Sequence, residues 1–415
     1  MKPMTEEEIE LLTERLVERI QKANTYILEN IGELIKKLRG LRPTEAQQLQ
    51  QILLYGEDYQ EIVNKISKLT GLTIKEIDEI FLNYAEKDQS FYKDFYKYRN
   101  IPFVELAQNE VLKSQTLALA RATKNEFMKF MRPKVLGYTI RGLDGEVKFM
   151  GLAETYNRVL DEAVLTVGQG KETFNQAMEK IMRDIGGSGL KTLDLESGRS
   201  IRLDSMVRQH LQGALREVHN ANQEIIGEEI GFDGWEISVH TNPAPDHAKA
   251  QGRRFKIEEF KKLQEDGIAK DINGNEINMH IEKKDGEDAP YFRPISEYNC
   301  YHVAFSVVLD VTKPLYSEEE LNKIIKDNEK GFEYEGKKYT MYEGTQLQRK
   351  IETEIRKQKD THILAKKSGD MDLVGICEKK IDMLLSKYKE ISDISGLPTK
   401  LERLKVADYR RTKKN

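Results

Sequence analysis

Residues that could bind a metal ion are concentrated between positions 235 and 310, which hold four of the seven histidines and one of the two cysteines. His240 and His247 flank a turn with two prolines, and Cys300 and His302 form a Cys-x-His pair. Imidazole nitrogens and a thiolate sulfur are ligands that tetrahedral zinc accepts in proteins. The pattern therefore predicts a zinc site made of these four side chains.

Other interpretations of the same residues stay open. Without a metal, the histidines and Asn299 could hydrogen-bond the backbone of the turn. Cys300 with a nearby histidine and Asp246 could supply a nucleophile and its base, although a thiol inside an apolar run is not activated. A metal-dependent hydrolase would use Asp246 and His247, but the sequence shows no carboxylate cluster for magnesium and no Gly-Lys-Ser phosphate loop. We predict that the protein is not an enzyme.

Two strands have to bring the halves of this motif together. Apolar residues alternate in 235–239, just before the prolines, and an apolar run occupies 303–311, just after His302. In an extended strand, the side chains of Cys300 and His302 would share one face, about 6 to 7 Å apart. His280 lies in the polar insert between the halves, at a predicted strand edge, and receives no ligand role.

The N-terminal third is predicted to be helical. A capping box that begins at Thr5 precedes a long series of apolar residues at helical spacing. Similar start signals at Thr44 and Thr73 predict two further helices, with another at 58–69 between them. The last long helix of this part is predicted at 104–131.

Five aromatic residues lie within the nine positions 90–98, interleaved with lysine and arginine. Such a segment can stack on nucleic-acid bases. More often it packs a helix onto a neighbour or a partner subunit, and we predict the packing role.

The pattern changes near Pro133, where a boundary is predicted. A hairpin is expected at 138–149, helices at 153–167 and 172–185, and two short strands within 191–203.

The central part then continues with a long helix that Asp204 is predicted to cap. We expect His210 and His219, on its apolar face, to be hydrogen-bonded packing residues. The tail is predicted to be helical, with breaks at Gly369 and Gly396.

Overall, the sequence predicts an α+β protein that is predominantly helical. An N-terminal helical module for docking or oligomerisation (1–133) precedes a central α+β domain with a small sheet (134–316) and a helical, basic C-terminal region (317–415). The whole chain has a net charge of −4, but residues 337–415 contain 20 Lys and Arg against 12 Asp and Glu. This basic tail could touch DNA phosphates, or it could be a solvated helical face with a loose end.

Composition excludes several classes of protein. No apolar run approaches the roughly 18 residues of a membrane-spanning helix, and the first residues lack the apolar segment of a signal peptide. Two cysteines in 415 residues exclude a disulfide framework. We therefore expect a soluble protein that is made in the cytoplasm.

The central motif resembles the phage minor capsid protein family of tailed phages that infect Gram-positive bacteria. The residues that carry the resemblance are Trp235 to His240, Pro245 with His247, Gln251 with Gly252, and Asn299 and Cys300 with His302. Further similarity at 197–208 and 348–357 extends it over about residues 135 to 410, in the family's order. The family often has an arginine where this chain has Tyr301.

This resemblance implies a minor structural protein of a tailed-phage head, related in role to head-morphogenesis proteins. The implied partners are the portal protein and the major capsid protein, with packaged DNA as a further contact through the basic tail, and no membrane. The implied location is the virion, in multiple copies, after assembly in the host cytoplasm. Two alternatives are a DNA-binding accessory head protein that is ejected with the genome and a zinc-dependent hydrolase.

Overall fold

Long α-helices form most of the protein, and short antiparallel sheets lie between them. The computed structural model describes residues 6–39, 57–169, 173–240, 242–281, 291–297 and 300–412. The α-helices in these ranges are α1 (Glu6–Leu38), α2 (Glu57–Lys75), α3 (Ile77–Ser90), α4 (Lys93–Tyr98), α5 (Glu110–Phe130), α6 (Leu152–Gln169), α7 (Phe174–Ser188), α8 (Leu203–Ile230), α9 (Ile257–Asp266), α10 (Glu318–Lys330), α11 (Met341–Ser368) and α12 (Met371–Ser395). The predicted class, predominantly helical α+β, is confirmed.

The strands form four small sheets. They are β1 (Leu136–Arg141), β2 (Val147–Gly151), β3 (Lys191–Leu193), β4 (Ser200–Arg202), β5 (Gly234–Ile237), β6 (Arg254–Lys256), β7 (Ile268–Lys270), β8 (Glu276–Asn278), β9 (Ala304–Val307), β10 (Phe332–Tyr334) and β11 (Lys337–Tyr339). Their orders are β2-β1-β3-β4, β6-β5-β9, β7-β8 and β10-β11, and every pairing is antiparallel. The predicted hairpin about residues 144–145 and the strand pair about 197–198 are confirmed.

The main hydrophobic core extends from α1 to the C-terminal segment. Leu16, Ile20, Ile27 and Ile31 of α1 are almost fully buried, because their helical spacing places them on one stripe. α1 packs against α2, α8 and α11, and the same core reaches Val406. The apolar stripe of α1 is therefore covered by this chain itself. The three predicted parts and the docking role of the first stay predictions.

The aromatic segment 90–98 packs mainly inside the chain. Tyr92 and Tyr96 are buried, and their hydroxyls hydrogen-bond Gln223 and Glu229 of α8. Tyr98 remains exposed. The predicted packing role is confirmed for the two buried tyrosines.

Two predicted helix starts are wrong because the side chains bond differently. α2 continues through Thr73, whose hydroxyl donates to the carbonyl of Leu69 (3.0 Å) instead of capping a new helix. α5 begins later than predicted, since Asn109 caps it by accepting the N–H of Leu112 (3.1 Å). The predicted starts at Thr5 and Thr44 lie outside the described residues.

The three capping boxes of the described helices stand at Thr173, Ser317 and Thr340. The predicted breaks in the tail are confirmed, because Gly369 and Gly396 end α11 and α12 in the left-handed conformation. No described helix has the length and apolar character needed to cross a membrane.

Two helices pack closely against α11 at positions where they have a glycine. A side chain at Gly186 of α7 would overlap Thr361 of α11, and one at Gly32 of α1 would meet Lys367 of α11. The backbones of α1 and α7 can therefore pack directly against α11, which places α11 at the centre of the helical layer.

A buried cluster of charges joins the central region to α11. The prediction that Asp204 caps α8 is wrong. Its carboxylate faces Arg202 (3.2 Å) and Arg356 (3.6 Å) instead. Arg202 also contacts Asp360 (3.1 Å), and Asn24 of α1 donates to the same carboxylate (3.0 Å). Burial opposes ionisation of Asp204, but the charges of Arg202 and Arg356 outweigh it and hold its pKa well below the usual range.

We expect Asp360 to make the stability of the protein depend on pH. Burial raises its pKa from 3.8 to about 6, against the attraction of Arg202. The folded carboxyl keeps its proton up to about pH 6 and the unfolded one only to about pH 4. The stabilisation from this group is therefore present below about pH 4 and is lost as the pH rises through 6.

The measurement is urea unfolding of the wild-type protein and of Asp360→Asn between about pH 4 and 7. The wild type should lose stability relative to the variant as the pH rises, whereas a variant of the exposed Asp393, Asp393→Asn, should run parallel to the wild type. Parallel curves for Asp360→Asn would contradict the expectation.

Candidate metal centre

Strands β5 and β9 bring the two halves of the histidine and cysteine motif together. Ile237 pairs with Ala304, and the pairing continues beyond the strands, since the N–H of Ser238 donates to the carbonyl of Val303 (2.8 Å). An antiparallel register of this kind places the next residues of the two segments side by side. The predicted meeting of the two segments is confirmed.

His247 sits in a single helical turn after the prolines. Its carbonyl accepts the N–H of Gln251 (3.1 Å), and its own N–H donates to Ala244 (3.0 Å). The preceding Asp246 forms two hydrogen bonds with Arg293 (2.7 and 2.8 Å). This pair holds the turn against the segment that leads to Cys300.

Three of the four predicted ligands converge. The donor atoms of His247, Cys300 and His302 all lie within 4.8 Å of one another, and all three residues are buried. The sulfur of Cys300 is 3.3 Å from Nδ1 of His247 and 3.7 Å from Nδ1 of His302.

The predicted extended geometry of the Cys-x-His pair is wrong. The N–H of His302 donates to the sulfur of Cys300 (3.3 Å), so the chain is bent here. β9 begins only at Ala304. The bend brings both side chains to one point, where an extended strand would separate them.

The outer nitrogens of the two buried imidazoles are held by acceptors. Nε2 of His247 lies 2.7 Å from the carbonyl of Arg293, and a carbonyl can only accept. Nε2 of His302 lies 3.2 Å from Oε1 of Gln251, which also accepts the N–H of His240 (3.0 Å). Both imidazoles therefore carry their hydrogen on Nε2 and present the lone pair of Nδ1 to Cys300.

Burial keeps the whole cluster uncharged in the absence of a metal. It lowers the pKa of His247, and it lowers that of His302 well below the usual value, with the neighbouring histidines adding to the effect. Burial also raises the pKa of the Cys300 thiol. An activated cysteine nucleophile needs the opposite shift, so this site is unsuited to cysteine catalysis by itself.

His240 lies next to the cluster of His247, Cys300 and His302 but is not one of its three close donors. Its Nε2 lies 2.8 Å from the carbonyl of Tyr301, and its ring meets that of His302 edge-on, with centroids 4.6 Å apart. Its predicted role as a fourth ligand stays a prediction.

A polar cavity of about 540 Å³ opens over the cluster. At the wall of this cavity, Arg349 of α11 lies over the ring of Tyr301, with its guanidinium carbon 5.7 Å from the ring centroid. The lining residues include His240, His247, Cys300, Tyr301, His302, Arg349 and Lys400. Tyr301 therefore contacts α11 at the wall of this cavity.

The remaining histidines of the central part lie elsewhere. His219 is buried between Asp88 (2.8 Å) and the carbonyl of Ala304 (3.0 Å), as expected of a packing residue. His280 contacts Asn278 and the ring of Phe292. His210 packs near Phe130.

Sequence reasoning missed the residues that orient the two buried imidazoles. Gln251 is part of the matching motif, which was its only signal. Arg293 lies 46 residues from His247 in a stretch without a recognisable motif, so nothing in the sequence pointed to it.

These features define a mainly helical α+β protein organised around a buried histidine and cysteine cluster. The family model described as phage minor capsid protein 2 matches residues 4–391, nearly the whole chain. The chain belongs to this family of phage minor capsid proteins and is thus a structural component of a phage head. Comparison with curated proteins and with solved structures gave no match.

Proposed function

We propose that this minor capsid protein associates with the portal protein and the major capsid protein while the head assembles in the host cytoplasm. It then stays in the virion in multiple copies. The observation that carries the proposal is the family match over residues 4–391. A head component has to contact other head proteins, and we propose the portal and the shell as these partners.

The packing of the chain supports a role as a rigid building block. Residues from α1, α8 and the C-terminal segment share one hydrophobic core. Gln21 and Thr25 of α1 also hydrogen-bond the backbone of Lys405 and Ala407 (3.0 and 2.8 Å). Chain segments almost 400 positions apart therefore hold each other in place, as a part with fixed contact surfaces requires.

The test is co-expression of the untagged full chain with the portal protein alone, with the major capsid protein alone, and with both. Purified particles and portal rings are then analysed by quantitative mass spectrometry. We expect the chain to purify with portal rings and to be present in proheads at far fewer copies than the major capsid protein. Proheads without the chain, or a chain recovered equally well when the portal is omitted, would contradict portal association.

Contact with packaged DNA is a second candidate, favoured by the surplus of basic residues in 337–415. Many of these side chains already face acidic residues of the same chain. Such pairs include Lys367 with Glu33 (3.2 Å), Lys380 with Glu354 (3.2 Å) and Lys387 with Glu335 (3.1 Å). The pairing reduces the positive charge that the region presents to DNA.

A DNA test has to use charge reversal and not truncation, because Val406 and Ala407 are buried and their segment is bonded to α1. Lys389 and Arg410 are exposed. If the tail contacts DNA, K389E/R410E should lower duplex affinity and flatten the dependence of log K on log salt by up to about 2, one unit for each lost phosphate contact.

The matched control is R121E/K129E, which makes the same change of charge on the exposed face of α5. Fluorescence anisotropy with duplex DNA at several salt concentrations measures both variants. Equal losses in the two double variants would show that only the overall charge matters, and would contradict a contact through the tail.

A further inference from the structure

The side chains of His247, Cys300 and His302 carry too few hydrogens to satisfy all the hydrogen-bond acceptors in their cluster. Both imidazoles present the lone pair of Nδ1 to one sulfur, because their Nε2–H groups are used elsewhere. A thiol carries a single hydrogen and can donate it to only one of the two nitrogens. The other buried lone pair then faces a sulfur lone pair. Buried acceptors without a donor are costly.

A divalent cation would resolve this conflict, and the distances suit one. With Zn–S of about 2.3 Å and Zn–N of about 2.0 to 2.1 Å, tetrahedral geometry places sulfur and nitrogen about 3.6 Å apart. The two distances from the sulfur of Cys300 to Nδ1 of His247 and of His302, 3.3 and 3.7 Å, bracket that value. Two edges of one face of a zinc coordination tetrahedron are thus close to their ideal length, and the third, between the two imidazoles, is no longer than 4.8 Å.

We propose that His247 Nδ1, Cys300 Sγ and His302 Nδ1 bind one Zn²⁺ ion, and that the fourth position opens to the cavity and is filled by water. On binding, the thiol of Cys300 releases its proton to solvent and the thiolate sulfur becomes a ligand. The two imidazoles bind in the neutral form that they already have. This inference does not rest on the proposed contacts with portal, shell or DNA.

The surroundings of the ligands match those of metal sites. Metal-binding histidines usually donate their second N–H to a carbonyl or a carboxylate, which fixes the ring. Here the carbonyl of Arg293 and Oε1 of Gln251 accept these N–H groups, and Asp246 lies 3.7 Å from Nε2 of His247. The positive charge of Arg293 is countered by Asp246, so it adds little repulsion toward a bound cation.

The fourth position faces a space large enough for water and for a further ligand. The cavity over the cluster has a volume of about 540 Å³ and contains His240 on its wall. His240 does not belong to the group of three close donors. We therefore assign it to the outside of the coordination shell.

The first experiment measures zinc in the untagged full chain, produced in zinc-supplemented medium and dialysed against a weak chelator. One zinc per chain is expected. The protein reconstituted with Co²⁺ should show d–d bands of a four-coordinate ion and a thiolate-to-cobalt charge-transfer band. A wild-type chain that contains no zinc and takes none up on titration would overturn the proposal.

Variants then assign the ligands. Cys300→Ser should abolish the charge-transfer band, and His302→Gln should abolish stoichiometric zinc. Cys377→Ser and His280→Gln are the matched controls, since they remove the other cysteine and an imidazole outside the cluster, and both should keep one zinc. His240→Gln should also keep it, and loss of zinc in this variant would overturn the three-ligand assignment.

A milder variant covers the case in which ligand variants fail to fold. Gln251→Leu removes the acceptor that orients His302 and should weaken zinc binding about 10- to 100-fold. Gln251→Glu keeps an acceptor at this position and should bind like the wild type. Equal affinities of Gln251→Leu and the wild type would contradict an oriented His302 ligand.

Discussion

Replacing Arg202 with methionine is expected to lower the free energy of unfolding by about 3 to 5 kcal/mol, because it leaves the buried carboxylate of Asp360 without its charged partner. Arg202 contacts both Asp204 (3.2 Å) and Asp360 (3.1 Å), which are 4 % and 0 % exposed. After the substitution, Arg356 still faces Asp204 at 3.6 Å. Asp360 keeps only the amide of Asn24 (3.0 Å). Urea unfolding followed by circular dichroism measures the loss.

Two further variants show whether charge is the cause. Arg183→Met removes an arginine of α7 that pairs with Glu179 on the surface, and such pairs contribute little. The double variant R202M/D360N also removes the carboxylate that lost its charged partner and should regain part of the loss. If R202M cost no more than Arg183→Met, the cluster would not carry the stability assigned to it.

Local signals in the sequence predicted most of the secondary structure. The glycine ends at Gly369 and Gly396 are encoded in the residues next to them. The long apolar stripe of α1 is equally local. Prediction failed where a polar residue had two uses, as at Thr73, which bonds back into its own helix, and at Asp204, which faces Arg202 and the distant Arg356.

Tertiary contacts could not be predicted from the sequence. Asp360 meets Arg202 across 158 positions and Asn24 across 336, and no local pattern connects these residues. Gly186 likewise gave no signal of its contact with Thr361. The sequence therefore predicts three separate parts, although residues of all three pack into one hydrophobic core.

The sequence indicated residues that meet at the candidate site, but not the residues that hold them in place. The residue types and the Cys-x-His spacing predict His240, His247, Cys300 and His302 as zinc ligands, and the structure brings the donor atoms of the last three together. The roles of Gln251 and Arg293 depend on how the turn packs against a segment 46 residues away. The contact between the turn and that segment is set by the fold and not by the motif.

Replacing Glu236 with leucine is expected to cost about 3 to 5 kcal/mol and to open the sheet that carries the histidine and cysteine cluster. Glu236 of β5 is 1 % exposed and accepts two hydrogen bonds from Arg254 of β6 (2.9 and 2.7 Å). It also accepts the N–H of Leu315 (2.7 Å), beyond β9. Without it, the buried guanidinium of Arg254 loses its charged partner and keeps the carbonyl of Thr312, and the N–H of Leu315 loses its acceptor.

The effect should be visible at Cys300 because β5 leads to His240 and β9 follows His302. In a Cys377→Ser background, Cys300 is the single thiol of the chain, so its rate of reaction with a thiol reagent reports local opening. We expect E236L to react much faster than the background protein, and E236L/R254M, which leaves no unpaired charge, to be slower than E236L. Unchanged labelling in E236L would mean that this ion pair does not hold the two halves of the cluster together, and that the hydrogen bonds between β5 and β9 are sufficient.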